Sequence, residues 1–236
     1  MKMRHSFSVI IPVLNEPSLI NRAIEHVFLI GSNADLELIV VDGDAEGSTI
    51  HKIKNMGVRK LISAKGRGTQ MNHGAAVARG DILLFLHTDT ELPEDAFNTI
   101  SSLMTNDTHI GGAFDLGIRS AKVIFRLIEK MVYIRTRLTR IPYGDQGIFI
   151  KKNFFQKIDG YREIPLMEDV ELMKRIKGSG YKIQIIPQQI KTSPRRWEEE
   201  GVIYCTLRNW TLISLYLLGV KPQRLAKLYD RNLAIH

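Results

Sequence analysis

The chain of 236 residues contains one cysteine, Cys205. No internal disulfide can form, and the multi-cysteine sites that hold structural zinc are excluded, so a reduced, cytoplasmic setting is expected. Long apolar runs are equally scarce. The opening MKMRHSFSVIIPV turns from basic to apolar. Its apolar part is short, contains Pro12 and lacks a small-residue cleavage site, so it predicts a first strand rather than a signal peptide. The longest other apolar segment, Trp210 to Val220, is too short to span a bilayer. No GxGxxG follows the first strand and no GxxxxGK with a following Ser or Thr occurs, which removes the dinucleotide fingerprint and the P-loop. Zinc-finger spacing, an aromatic RNP-like strand and a low-complexity basic arm are also missing. Nucleic acid is therefore not the expected partner, despite a formal net charge of +8 and a pI near 9.6. The surplus of cations points instead to a phosphorylated ligand or an anionic surface.

With 44% hydrophobic residues the chain can bury one sizeable core. Residues 6 to about 90 alternate: SVIIPVL, a helix from Pro17 to about Ile30, LELIVVD, a short helix from Ser48 to about Met56, VRKLISA, a helix over Gly68 to Ala78, and DILLFLH. Strands and helices alternating at these spacings predict βαβ units and a mostly parallel sheet. A helix from about Glu94 to Met104 follows, then HIGGAFDLGI as a glycine-containing strand, a helix from about Lys122 to Leu138, and QGIFIKK as a strand. A short helix, the turn IDGY, the helix EDVELMKRIKGSG, the extended YKIQIIP and the last helices complete the chain. The expected organisation is one α/β domain over 1–236, with a ligand-binding half at 1–90, a second half at 91–195 and basic amphipathic helices at 196–236.

Polar residues stop the buried strands at two places, Asp42 and Asp44 in VVDGDAEGST and His87 to Asp89 in FLHTDT. In an open α/β sheet the crevice beyond the carboxyl ends of the strands binds ligands, so both stops point to one site. Asp42 and Asp44 can accept from a base imide or ribose hydroxyls, or can merely cap their own turn. Lys65, Gly66 and Arg67 form a cationic loop opening a helix, whose free N–H groups already favour anions. Glu168 and Asp169 stand at a helix start, where acids serve as caps and equally as a general base.

Taken together, VIIPVLNE, VVDGDAEGST, AKGRGTQMNHGAAVARGDILLFLHTDT, GDQGIFIKKNFFQKIDGY and EDVELMKRI resemble glycosyltransferase family 2, over roughly residues 6 to 187. The resemblance implies the GT-A fold, a Rossmann-like α/β nucleotide-sugar transferase with a mostly parallel mixed sheet flanked by helices. It implies an inverting transfer of a hexose-type sugar from a nucleoside diphosphate to a hydroxyl acceptor, with lipid-linked acceptors one class. FLHTDT, SPRRW and the basic C-terminal helix further resemble a bacterial subgroup whose genes accompany radical-SAM and selenium-related domains.

By this resemblance Pro12, Val13, Asn15 and Glu16, together with Asp42, Asp44 and Lys65 to Arg67, hold the nucleotide. Asp89 matches a metal-binding carboxylate and Asp169 the general base, with Glu168 orienting it or the acceptor. Gly144, Asp145 and Gln146 match a loop near acceptor or sugar. The family's Asp-x-Asp is His-x-Asp here. His87 as a ligand favours Mn²⁺ over Mg²⁺, since imidazole suits the later metals. The family often supplies a further metal ligand, frequently histidine, from its C-terminal part, but no histidine occurs between His109 and His236. Arg195 and Arg196 lie about where it is expected and can meet diphosphate directly. The rival expectation is a non-catalytic nucleotide-sugar-binding regulator of the same fold, suggested by His87 in place of a carboxylate.

Two helical stretches stand apart. In Lys122 to Arg140, Val123, Leu127, Met131, Ile134 and Leu138 recur at helical spacing beside Lys122, Arg126 and Lys130. The C-terminal stretch repeats the theme with Trp210, Tyr216 and Leu217 beside Lys221, Arg224 and Lys227. The pattern fits a core-packed helix with a solvated back, and equally a helix lying peripherally on the inner, anionic face of a membrane.

Overall fold

The computed structural model describes residues 5–233, with side chains through Tyr229. The elements run β1 (Phe7–Val13), α1 (Ile20–Ile30), β2 (Leu36–Asp42), β3 (Val58–Ile62), α2 (Arg67–Val77), β4 (Ile82–Phe85), β5 (Thr90–Glu91), α3 (Ala96–Leu103) and β6 (Gly111–Ile118). They continue with α4 (Val123–Thr139), β7 (Phe149–Lys151), α5 (Lys152–Lys157), α6 (Glu168–Gly178), β8 (Gln184–Thr192), α7 (Arg195–Glu200), α8 (Val202–Leu217) and α9 (Pro222–Leu233). The strands form one sheet in the order β3-β2-β1-β4-β7-β6-β8-β5. The pairs β3-β2, β2-β1, β1-β4 and β6-β8 are parallel, and β4-β7, β7-β6 and β8-β5 antiparallel.

Burial on both faces explains the continuous apolar runs of the central strands. Along β1, Val9, Ile11 and Val13 meet α1 and α3 through Ile24, Val27 and Phe97, whereas Ile10 meets α2 and α6 through Met71 and Leu172. Pro12 is tolerated because the β1-β4 ladder ends at Ile10 and Phe85, so its missing N–H falls where β4 turns away.

The expected helix from Ser48 to Met56 is only a 3₁₀ turn, Ile50–Lys52. Its start is held by Asp42, whose Oδ2 accepts from the N–H groups of Thr49 and Ile50 at 2.9 and 3.2 Å. The stripe along α4 does not face a core. Phe125 and Ile128 turn inward to Leu116 and Ile118, with Trp197 and Val202 against them, while Val123, Leu127, Ile134 and Leu138 are exposed.

Candidate active site

The carboxyl ends of β1, β2 and β4 open on one crevice, and the amino ends of α2 and α6 and the 144–146 turn join them. Gln70, which the sequence did not single out, sets the floor: its Nε2 donates to the carbonyls of Val13 and Val41 at 2.7 and 2.8 Å, tying β1 to β2. Beyond β1 the chain turns at Asn15, whose φ of 56° is left-handed. Glu16 then takes the Thr88 hydroxyl at 2.8 Å, bridging the ends of β1 and β4. Burial raises the Glu16 carboxyl above its ordinary range, against the lowering effect of the Thr88 hydrogen bond.

Asp42 performs the turn-capping duty. It is fully buried, its Oδ1 accepts the Asp44 N–H at 3.0 Å and its Oδ2 holds the 3₁₀ turn. Asp44 is half-buried and accepts the N–H groups of Glu46 and Ser48, both at 3.2 Å. Hydrogen bonding, from the Ser48 hydroxyl above all, holds Asp44 below the usual carboxylate range.

Lys65 and Arg67 are exposed, and Gly66 between them has φ 139°. Arg67 lies close enough to Glu16, His87, Asp145 and Glu168 to influence the ionisation of all four. Arg135 acts on Asp145 as well. Burial, opposed by Arg135 and reinforced by Asp169 and Asp89, pushes Asp145 up to about 6. Its Oδ1 is buried with no hydrogen-bond partner.

His87 follows Leu86 at the end of β4, and loss of solvation, with Arg67 next, pushes its imidazole down to about 4. It is neutral at neutral pH and keeps a lone pair for a ligand or donor. Its Nε2 lies against Gly144, where a Cβ would stand 3.0 Å from it and 3.6 Å from Asp169 Oδ2. Any larger residue would press on His87 here. The Gly144 N–H donates to Asp169 Oδ2 at 2.7 Å, and the Val170 N–H to Oδ1 at 2.7 Å. Asp169 is half-buried and Glu168 is 6% exposed. Burial, then the charge of Asp169, pushes Glu168 up to about 7. Met167, just before them, is left-handed at φ 69° and fixes this entry to α6.

Of the 144–146 loop, Gln146 is wholly internal. Its Oε1 accepts from Arg135, Thr136 and the Tyr143 N–H at 3.0, 3.2 and 3.1 Å, and its Nε2 donates to Phe114 O at 2.9 Å. Arg135 stacks 3.4 Å over the Tyr143 ring. The amino-acid sequence carried no signal for this brace. Arg195 and Arg196 are exposed at the start of α7; Arg195 influences Glu16, and Arg196 influences His87. The 490 Å³ groove lined by His5, Arg79, Asp81 and Lys152 involves none of these residues.

Among the described residues, no three His, Cys, Asp or Glu side chains are arranged to hold a metal ion. Asp89 and the neutral His87, which follow β4, offer a carboxylate and an imidazole, two donor types that suit a divalent ion completed by phosphate and water.

A mixed sheet with an acidic crevice at its carboxyl edge, opened by a cationic helix start, defines an α/β protein of the GT-A class. The description of glycosyl transferase family 2 matches residues 8–164, and the chain belongs to that family. It is 25% identical over 229 residues to the probable glycosyltransferase YdaM of Bacillus subtilis (strain 168), covering 85% of this chain and 52% of that protein. The chain thus spans about half the length of this curated relative. The mannosyltransferase PcManGT from Pyrobaculum calidifontis, solved with GDP-Man and Mn²⁺, superposes with a TM-score of 0.62 at 18% identity, covering 80% of this chain and 56% of that one. That likeness establishes the GT-A fold.

Proposed function

We propose that this protein transfers a hexose-type sugar from a nucleoside diphosphate to a hydroxyl acceptor with inversion at the anomeric carbon. The observation that carries the reading is the juxtaposition of Asp169, fixed by the Gly144 N–H at 2.7 Å, with His87 across the same glycine. A base thereby faces the group expected to hold the leaving diphosphate. Asp169 takes the acceptor proton because it is half-buried and each of its oxygens keeps a lone pair beyond its backbone bond. Glu168, buried beside it, orients the acceptor or Asp169 itself.

Asp89, with His87 as second donor, would hold the divalent ion, Mn²⁺ in preference to Mg²⁺; when bound, the ion supplies neutralisation of charge on the departing diphosphate. Lys65, Gly66 and Arg67 meet the phosphates, and Arg195 and Arg196 add guanidinium forks from the other side. Pro12, Val13, Asn15, Glu16 and Asp44 form the nucleotide side, with Asp42 acting through the loop it caps. Gly144 and Asp145 face the sugar, and Gln146 holds their turn. PcManGT makes GDP-Man with Mn²⁺ the first donor and metal to try.

The test is a screen of nucleotide sugars for transfer or slow hydrolysis with and without Mn²⁺, the product anomer read by NMR. Asp89→Ala should abolish the metal dependence of nucleoside diphosphate binding in calorimetry without lowering the melting temperature. Binding without turnover for every donor and acceptor would favour the regulatory alternative.

A further inference from the structure

Two helices of this protein carry a row of apolar residues on their outward face in addition to the apolar residues they bury. On α4, Val123, Leu127 and Leu138 are 81%, 53% and 78% exposed, and on α8 Leu207, Trp210 and Leu217 are 55%, 45% and 55% exposed. Each set recurs at three- and four-residue steps or their sums, hence on one face of its helix. The inward face of α8 carries a charge pair, Arg208 with Glu200 at 2.5 Å. Cys205 and Leu212 are buried on the same face. The helices are neighbours, since Phe125 and Ile128 of α4 share a cluster with Trp197 of α7 and Val202 at the start of α8. Such paired stripes exceed the scattered apolar residues of an ordinary surface.

Charge decides what covers them. Residues 121–140 carry six Lys or Arg against the single acid Glu129, and residues 202–236 carry five against the single acid Asp230. Lys130 on α4, Lys221 just before α9, and Arg224 and Lys227 on α9 are exposed. A symmetric contact with a second copy would bring these cations against themselves in a chain of net charge +8. Among the described residues no helix is long and apolar enough to cross a membrane. A helix that cannot span, with leucines and a tryptophan on one face and cations beside them, suits the boundary between headgroups and acyl chains.

We infer that α4 and the α8–α9 hairpin form a docking surface for an anionic lipid bilayer. The surface borders the crevice: Tyr216 of α8 lies within electrostatic reach of Asp169, and Arg135 of α4 braces the 144–146 turn. Docking does not depend on the transfer reaction, so its test is independent of catalysis.

The experiment is flotation of the full chain with vesicles of phosphatidylcholine alone and of phosphatidylcholine with phosphatidylglycerol, in low and high salt. Binding is expected only with phosphatidylglycerol and should weaken in high salt. Trp210→Glu with Leu217→Glu, and separately Lys221→Glu with Arg224→Glu and Lys227→Glu, should each lower it by at least about tenfold. Melting curves like that of the parent protein identify folded variants, and Leu127→Glu with Leu138→Glu supplies a second apolar test on the other helix. Equal binding to both vesicle types, or parental binding by folded variants of both helices, overturns the inference. A dimer in light scattering that these substitutions dissociate, without any vesicle binding, assigns the surface to a second copy and also overturns it.

Discussion

Glu168→Gln should make this protein more stable at pH 8 and leave it nearly unchanged at pH 4.5. Glu168 is 6% exposed, and burial, followed by the neighbouring charge of Asp169, raises its carboxyl from 4.5 to about 7. Folding therefore favours the protonated form. The sign follows from proton uptake: below about 4.5 both folded and unfolded chains are protonated and the stabilising contribution is complete. It drains away as pH rises through the folded value near 7. At about 1.4 kcal/mol per tenfold, the ionised carboxylate costs roughly 3 kcal/mol at pH 8. Glutamine keeps the shape without the charge, so most of that cost disappears. For a chain of this size roughly 3 kcal/mol corresponds to a melting shift of about 6–12 °C. Thermal unfolding followed by circular dichroism between pH 4.5 and 8.5 measures it. A stability difference between parent and variant that stays constant across this range would refute the reasoning, because Glu168 would then not titrate there.

Asp169→Asn should lower turnover by roughly 10² or more with donor affinity nearly unchanged, while Glu168→Gln does less harm; a larger loss in Glu168→Gln would transfer the base to Glu168. His87→Asp should raise the ratio of Mg²⁺-supported to Mn²⁺-supported rate, since an oxygen ligand replaces an imidazole nitrogen; an unmoved ratio removes His87 from the ligand set. Gly144→Ala would place a Cβ 3.0 Å from His87 Nε2. It should lower stability by about 1–3 kcal/mol and reduce turnover, read by urea unfolding and initial rates.

The first ninety residues were legible because their signals are local. Alternating apolar runs and helix starts placed β1 to β4, α1 and α2 close to where they stand, and the strand-end polar residues fall at the carboxyl ends of β2 and β4. Asp42 shows the limit. Its identity and position fit both a ligand contact and a cap, and only the two backbone N–H groups on its Oδ2 display the capping. The Gln70 tie spans 57 residues to Val13 and the Asp169–Gly144 bond spans 25, and no spacing announces such partners. Helical periodicity on α4 revealed an apolar stripe without revealing what it faces. The stripe looks outward because β6 is served by Phe125 and Ile128 instead.

Adjacent acids at a helix start would be interchangeable if sequence alone set their chemistry, but their surroundings separate them. Glu168 is buried, and the protonated form that burial favours can donate a hydrogen bond. Asp169 reaches the crevice with both oxygens oriented by backbone N–H groups. The left-handed Met167 immediately before them fixes the start of α6, and successive helical residues then diverge by about 100°. One residue is turned into the protein and the other toward the crevice. Near neutral pH Glu168 can keep its proton while Asp169 presents oriented oxygens to the crevice, the division of labour that the proposed proton-accepting step requires. Arg67 and the orphaned Asp145 complete the balance of charge. Arg67 lies close to four titratable groups, and Arg195, Arg196 and Arg135 act on Glu16, His87 and Asp145 in turn, yet burial still raises Glu16, Asp145 and Glu168. Such a site gains from any positive charge brought in with a phosphorylated ligand.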